Sequence, residues 1–181
     1  MIKTLLLINY FYKKKYLYLI KNVNYLKMES KNIFDYLPEE LDGKNGKVNL
    51  SEIKKSPLIG IYFSAHWCPP CRGFTPILSN FYKVVNKKNK EIEIIFVSFD
   101  REENSYKEYY DSMPWLSFPF KSEQKMEVAK DFGINGIPAF LVFDKNGKLI
   151  DYDGRMTVQM EFKNDSGEDV ASKILEKWNK K

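Results

Sequence analysis

Two cysteines, Cys68 and Cys71, are the residues of this chain with the clearest capacity for chemistry. They lie in the segment Trp67-Cys68-Pro69-Pro70-Cys71, and the chain holds 2 cysteines and 1 histidine in all. A spacing of three places both thiols on the first turn of a helix, where they can form a disulfide. This is too few cysteines for a disulfide-rich scaffold, and too few ligands for a zinc site within one chain. A redox-active pair is the leading interpretation. An inert pair, or a zinc site shared between two chains, remains open.

The pattern around the pair predicts a strand before it and a helix after it. Residues 58–64 form a continuous apolar, β-branched and aromatic run, which is typical of a strand buried on both faces. After Cys71, apolar residues recur with a helical period as far as Asn86, with Pro76 predicting a kink. The first N–H groups of a helix and its positive dipole end stabilise a thiolate at Cys68. Cys68 is therefore expected to attack a disulfide, and Cys71 to resolve the mixed disulfide that forms.

The rest of the chain predicts an α/β fold. Turn-forming residues over 36–47 indicate a loop or hairpin, followed by a short strand over 47–50. Further strands are predicted over 91–98, 139–143 and 149–152, with the turn 144–148 joining the last two. Helices are predicted over 105–112, 123–132 and 170–178. Strands that alternate with helices and end in a hairpin predict a three-layer domain with a mixed central sheet.

Length and charge predict one domain, residues 29–181, behind an N-terminal extension, residues 1–28. The extension holds six lysines and no acidic residue. The rest of the chain therefore has 23 basic residues (29 − 6) and 24 acidic ones, so its charges nearly balance. Nucleic-acid binding would require basic residues clustered on one folded face, and the sequence shows no such cluster. The apolar run 4–12 is shorter than the roughly twenty residues that span a bilayer. We interpret the extension as a disordered or spurious leader with Met28 as an alternative start, or as a targeting or membrane-associating segment.

The stretch from Tyr62 to Pro76, YFSAHWCPPCRGFTP, closely resembles the tryparedoxin and nucleoredoxin branch of the thioredoxin superfamily. Similar segments follow at 113–116 (MPWL), 119–120 (PF), 132–138 (FGINGIP) and 151–155. The resemblance covers roughly residues 34–158 and leaves out the N-terminal extension. It implies a thioredoxin-like three-layer fold, with a central mixed β-sheet flanked by helices, and thiol–disulfide oxidoreductase activity.

The resemblance also implies roles for residues near the pair. Cys68 would be the exposed nucleophile and Cys71 the resolving thiol, while Trp67 would shield the disulfide and form a substrate surface with Pro69 and Pro70. The bond between Ile137 and Pro138 would be cis and would face the sulfur atoms, where a substrate strand docks by backbone pairing. Trp115 would line the same surface or pack within its loop.

The other polar residues near the pair receive weaker assignments. Tyr62 stands where ordinary thioredoxins carry a buried aspartate, so no carboxylate base is assigned, and water or Tyr62 itself is left as the proton carrier. His66 is expected at the surface rather than in catalysis. Arg72 is interpreted as a solvated helix residue, or as a partner for an anion. The resemblance places Arg155 at the rim of the substrate surface.

The sequence thus predicts a protein-disulfide reductase. A thiol or a reductase would supply the electrons, and disulfide-containing client proteins, a thiol peroxidase among them, would accept them. The alternatives are a redox-dependent partner-binding module, or a disulfide oxidase or isomerase if the chain is exported. We expect no cofactor or metal, because no glycine-rich phosphate loop is present. We also expect a cytoplasmic monomer, or an organellar or exported protein if residues 1–28 are a signal, without nucleic acid and without membrane contact except through the extension.

Overall fold

The computed structural model describes residues 30–162 and 166–180, so the expectations for the extension, residues 1–28, lie outside the described residues. A single sheet contains the strands β1 (Glu40–Gly43), β2 (Gly46–Asn49), β3 (Leu58–Ser64), β4 (Ile92–Ser98), β5 (Leu116–Ser117), β6 (Ala139–Asp144) and β7 (Leu149–Asp151). The helices are α1 (Leu50–Ile53), α2 (Pro69–Val85), α3 (Glu103–Asp111), α4 (Gln124–Asp131), α5 (Gly154–Glu161) and α6 (Glu168–Asn179). A 3₁₀ turn covers Ile33–Asp35.

The sheet is mixed, with strand order β2-β1-β5-β4-β3-β6-β7. Strands β3 and β4 run parallel and in full register, from Leu58 opposite Ile92 to Ser64 opposite Ser98. Strand β5 continues the parallel part, whereas β6 pairs with β3 in the antiparallel direction. Because β3 and β4 end at the same edge, the segments that follow Ser64 and Ser98 lie side by side. The cysteine pair belongs to the first of these segments.

Two hydrophobic cores cover the two faces of the sheet. On one face Tyr62 packs among residues of α2, α3, α5 and α6. On the other face Ile61 and Phe63 pack with α1, α4 and the 3₁₀ turn. Alternate residues of β3 thus point into opposite cores, as the pleat of a strand requires. The predicted three-layer α/β fold with a mixed central sheet is confirmed.

Helix α2 is the longest helix of the described residues, with 17 residues. It buries Phe74, Leu78 and Phe81 against the sheet, and it contains Pro76. Because proline has no N–H, the carbonyl of Arg72 loses its usual intrahelical partner at this point. Across the two described ranges, no helix combines the length and the apolar character needed to cross a membrane.

Four elements of the structure were not predicted: the 3₁₀ turn Ile33–Asp35, α1, β5 and α5. Strand β5 has two residues, too few for a recognisable alternation. Helix α5 begins with Gly154 and includes Thr157 and Val158, which are weak helix formers. Tertiary packing compensates, because Val158 is buried and the adjoining Phe162 meets Phe81 of α2 edge to face with ring centroids 5.4 Å apart. The predicted hairpin at 36–47 is present as β1 and β2, although Leu50 begins α1 rather than ending the strand.

Candidate active site

The cysteine pair lies at the junction of β3 and α2, as predicted. Cys68 is the N-cap of α2 and Cys71 lies in its first turn, with the two Cα atoms 5.2 Å apart and the sulfur atoms joined in a disulfide. Cys68 is 4% exposed and Cys71 is 0% exposed. Pro69 and Pro70 between them are exposed at the surface. The expectation that Cys68 is an exposed nucleophile is corrected: both cysteines are buried, and Cys68 retains only a small accessible fraction next to the exposed Trp67, Pro69 and Pro70.

The two prolines change how the helix begins. Pro69 and Pro70 occupy its first two positions, where their fixed φ angles suit a helix. Neither residue has a backbone N–H, so two of the donors that are normally free at a helix N-terminus are absent here. The aligned peptide dipoles of the helix still favour a negative charge at Cys68.

The bond between Ile137 and Pro138 is cis, as the resemblance implies. The carbonyl oxygen of Ile137 lies 3.8 Å from the sulfur of Cys68. Ile137 also packs with Phe99 against the small buried cluster that contains both cysteines and Ala65. The fold thus brings together the cysteine pair and residues 137–138, which are separated by more than sixty positions in the sequence.

Trp67 is 59% exposed, and its indole is held in place by a hydrogen bond. The indole N–H donates to the carbonyl of Phe99 over 3.2 Å. Nearby, the backbone N–H of His66 donates to the carboxylate of Asp100 over 2.8 Å. That carboxylate also accepts the hydroxyl of Ser98 at 2.8 Å. Asp100 therefore fixes the segment that carries Trp67.

Sequence reasoning missed Phe99 and Asp100. Their only signal is their position directly after β4, at the edge where the parallel strand β3 also ends. Arg72 is an exposed residue of α2, as expected, and it also donates to the carbonyl of His66 over 2.5 Å. The side chain of Arg72 thus supports the same segment.

Beneath Cys71 lies a buried hydroxyl cluster, formed by Tyr62, Ser64, Thr75 and Tyr109. The Thr75 hydroxyl is its centre: it donates to the carbonyl of Cys71 over 3.0 Å and lies 2.7 Å from the hydroxyl of Tyr62 and 2.5 Å from that of Tyr109. With the Thr75 proton directed at Cys71, Thr75 can accept from both phenols, and the Tyr62 hydroxyl also lies 3.4 Å from the carbonyl of Cys71, to which it can donate. Ser64, 3.0 Å from Tyr109, then donates to that phenol. Every hydroxyl of the cluster is satisfied.

Burial raises the pKa of Tyr62 well above the usual range of a phenol. Tyr62 therefore stays protonated at neutral pH and acts as a hydrogen-bond donor, not as a base. Its ring also packs edge to face against Phe74 and Trp115, with centroids 5.8 Å and 6.0 Å apart. The residue that replaces an aspartate at this position is a neutral part of the core.

Trp115 is not on the surface around Cys68. It is 1% exposed and packs edge to face between Tyr62 and Tyr82. Its indole N–H has no hydrogen-bond partner within the described residues. The expectation that Trp115 lines a substrate surface is therefore wrong. Of the two alternatives given for Trp115, packing in the interior is the one that the structure shows. The large apolar ring is worth more in the core than at the surface.

His66 and Arg155 lie near the site in different settings. The imidazole of His66 stacks on Tyr109, with centroids 5.5 Å apart. Arg155 donates to the carbonyl of Pro138 over 3.4 Å and to the side chain of Gln159 over 3.2 Å. Arg155 thus lies beside the cis proline. In the described parts of the chain, no group of three or more His, Cys, Asp or Glu side chains is arranged to hold a metal ion.

The chain is similar to proteins of one family. Residues 57–149 match the family model described as thioredoxin-like. Nucleoredoxin of Mus musculus is 43% identical over 115 residues, which are 63% of this chain and 26% of that protein. Tryparedoxin of Trypanosoma brucei brucei is 38% identical over 127 residues, which are 68% of this chain and 87% of that protein. The chain thus spans about a quarter of the nucleoredoxin and most of the tryparedoxin.

Solved structures show the same relationship. Native tryparedoxin I from Crithidia fasciculata superposes with a TM-score of 0.66 at 35% sequence identity, covering 75% of this chain and 93% of that one. Tryparedoxin II in complex with glutathionylspermidine gives a TM-score of 0.65 at 31% identity, covering 73% and 92%. Together with the cysteine pair at the start of α2, these similarities show that the chain belongs to the thioredoxin-like family, in the branch of the tryparedoxins and nucleoredoxins.

Proposed function

We propose that this protein is a dithiol reductase of protein disulfides, in which Cys68 attacks and Cys71 resolves. The observation that carries the proposal is the unequal access to the two sulfur atoms. Cys68 keeps a small exposed fraction, 4%, beside Ile137, whereas Cys71 is 0% exposed. An incoming disulfide therefore meets Cys68 first, and Cys71 is close enough to attack Cys68 afterwards.

The reaction follows in two balanced steps. In the reduced protein, the Cys68 thiolate attacks one sulfur of the client disulfide, forms a mixed disulfide and displaces the other client sulfur as a thiolate. Cys71, after losing its proton, attacks the Cys68 sulfur, and the second client thiolate leaves. The client gains two electrons, and the protein loses two as the Cys68–Cys71 disulfide forms. The proton that Cys71 loses is balanced by the client thiolates, which become thiols as they are released.

The surface around Cys68 suits an extended client segment. Trp67, Pro69 and Pro70 provide exposed apolar surface on one side of the sulfur. Ile137 and Pro138 border the other side. A client strand that pairs with the backbone at Ile137 would hold its disulfide in line with Cys68, and backbone pairing is tolerant of client sequence. These are the binding roles that we propose for the five residues.

A donor must return two electrons to the pair after each cycle. One structural neighbour, tryparedoxin II, is solved in complex with glutathionylspermidine, which is a thiol compound. We propose a low-molecular-weight thiol or a reductase as the donor and a thiol peroxidase as one client. Net reduction requires a donor pool more reducing than the pair, as in the cytoplasm. In an oxidising compartment the same pair would act as an oxidase or isomerase.

The test compares two single substitutions at the pair. Cys71→Ser leaves Cys68 able to attack but unable to be released, so mixed disulfides with clients should accumulate and be identifiable by mass spectrometry. Cys68→Ser should form none and should lose turnover in a peptide-disulfide assay with dithiothreitol as donor. The double variant is the matched control for non-specific adducts.

The rival function is a redox-dependent binding module. It predicts that the wild-type protein has little turnover, that Cys71→Ser traps no more protein than the double variant, and that partners bind without a covalent link. Turnover retained in full by Cys68→Ser would contradict the proposed mechanism. An N-terminal sequence of the mature protein separates the exported case from the cytoplasmic one.

A further inference from the structure

A shallow groove lies next to Trp67 and Ile137, close to Cys68. We call it the Trp67 groove, and its lining residues are Trp67, Phe99, Arg101, Ile134, Asn135, Gly136 and Ile137. Its walls are mostly apolar or neutral, and Arg101 is the single charged residue among them. Phe99 and Ile137 also pack against the cluster of the two cysteines, and the carbonyl oxygen of Ile137 lies 3.8 Å from the sulfur of Cys68, so the groove lies beside the reactive pair.

The guanidinium of Arg101 is available to bind another molecule, as its contacts within the described residues show. Arg101 is exposed, and it makes no hydrogen bond or ion pair with another residue of the ranges 30–162 and 166–180. The other two arginines of the chain differ, because Arg72 donates to His66 and Arg155 donates to Pro138 and Gln159. The ion pairs of the described residues all use lysines as their cations. A free guanidinium therefore stands at the rim of an apolar groove.

The neighbouring carboxylates of Asp100 and Glu102 do not form an ion pair with the guanidinium of Arg101. The carboxylate of Asp100 is buried and accepts hydrogen bonds from His66 and Ser98. Glu102 lines a neighbouring depression that also includes Trp67, and it is absent from the lining of the Trp67 groove. Arg101 lines both depressions and so lies between them.

We propose that Arg101 is a specificity-determining residue, which selects client proteins with an acidic residue next to the reactive disulfide. This inference rests on the proposed reductase function and adds the class of client. A client segment that crosses the groove would place apolar side chains against Phe99 and Ile137, and a carboxylate on Arg101. The planar fork of a guanidinium matches a carboxylate with two parallel hydrogen bonds, and desolvation by the apolar walls strengthens the contact. The orienting contact adds no chemical step.

The test uses two short peptides with the same intramolecular disulfide, apolar at one flank and carrying Asp or Asn at the other. With wild-type protein and dithiothreitol as donor, kcat/KM should be about two- to fivefold higher for the Asp peptide, the size of a partly exposed charged contact. Arg101→Gln should remove this preference and leave the Asn peptide unaffected. Arg101→Glu should reverse it. Lys173→Gln, which removes an exposed lysine on α6, is the matched control and should leave the preference intact.

The outcomes separate the inference from the proposed function. If wild-type protein reduces both peptides at equal rates, or if Arg101→Gln slows both equally, the selectivity is wrong and the reductase function stands. If neither peptide is reduced, the reductase function fails. In that case, the affinities of the protein for the two peptides are measured by tryptophan fluorescence, with serine in place of cysteine in the peptides. The difference between the two affinities then tests whether Arg101 recognises the acidic residue. Equal affinities, or a preference unchanged in Arg101→Gln, would overturn it.

Discussion

The two sides of the active site are built in opposite ways. Beneath Cys71, the buried hydroxyl cluster is neutral, enclosed and fully hydrogen-bonded. Beside Cys68, the Trp67 groove is open and carries an indole that is 59% exposed and a guanidinium that has no partner among the residues the structure describes. A satisfied buried network has one low-energy arrangement, whereas an open groove with free groups accepts contacts from another molecule. The difference assigns stability and geometry to the cluster, and recognition to the groove.

Alkaline pH should have the largest effect on the buried side. Burial raises the pKa of Tyr106 to about 12, and raises those of Tyr62, Tyr82 and Tyr110 as well. A raised folded-state pKa means that the stabilisation is complete below the unfolded value, 10.0, and is lost as the pH rises above it. Each phenol that ionises only on unfolding lowers the free energy of unfolding by about 1.4 kcal/mol per pH unit.

Absorbance at 295 nm and circular dichroism, followed together from pH 8 upward, measure this effect. Ionisation of these four tyrosines should coincide with the loss of the fold. Exposed tyrosines should ionise first, while the dichroism is still native. If every tyrosine titrated near pH 10 in the native state, the enclosed character assigned to the cluster and its neighbours would be wrong.

The two tryptophans that were both assigned to the substrate surface provide a matched comparison. Trp115→Ala should lower the free energy of unfolding by about 3–5 kcal/mol, because it leaves a cavity between Tyr62 and Tyr82. Denaturant titration measures the change. Trp115→Phe should cost much less, since it retains a ring and removes an indole N–H that has no partner within the described residues. A loss under 1 kcal/mol for Trp115→Ala would contradict its place in the core.

Thr75→Val tests the centre of the buried hydroxyl cluster. Valine has nearly the same shape, but it leaves the phenols of Tyr62 and Tyr109 without their shared acceptor. The free energy of unfolding should fall by about 1–3 kcal/mol, the cost of unsatisfied buried polar groups. Thr75→Ser, which keeps the hydroxyl, is the control and should retain most of the stability. A neutral Thr75→Val would mean that water satisfies the cluster instead.

Trp67→Ala should have the smallest effect on stability, within about 0.5 kcal/mol, because its ring is mostly exposed. With a protein disulfide as substrate, the KM of the Trp67→Ala variant should rise, whereas its kcat should change less. The reduction rate with a small disulfide is the control and should change little. A large loss of stability would move Trp67 from the recognition side to the structural side of the comparison.

The sequence predicted most regular elements and the reactive pair. Residues 58–64 form a continuous apolar run and residues 94–97 a shorter one, and such runs suit strands that are covered on both faces. The alternation of strands and helices indicated the three layers, and the strand-to-helix junction placed Cys68 correctly. Helix α5 was missed because it is short, begins with Gly154 and carries the weak helix formers Thr157 and Val158, whereas the packing of Val158 and Phe162 fixes it in the fold.

Local pattern could not sort residues whose role depends on distant neighbours. Trp115 and Trp67 are chemically identical, yet one fills the core and the other forms the surface, because their positions relative to the sheet differ. The roles of Asp100 and Arg101 likewise arise where β4 ends beside β3, 29 (100 − 71) to 33 (101 − 68) positions from the cysteines in sequence. Residue types and spacing determined which atoms can exchange electrons, since thiolate chemistry is local to Cys68 and Cys71. Tertiary structure decided which sulfur is accessible and what surrounds it, because burial and contact are properties of the whole sheet and its two cores.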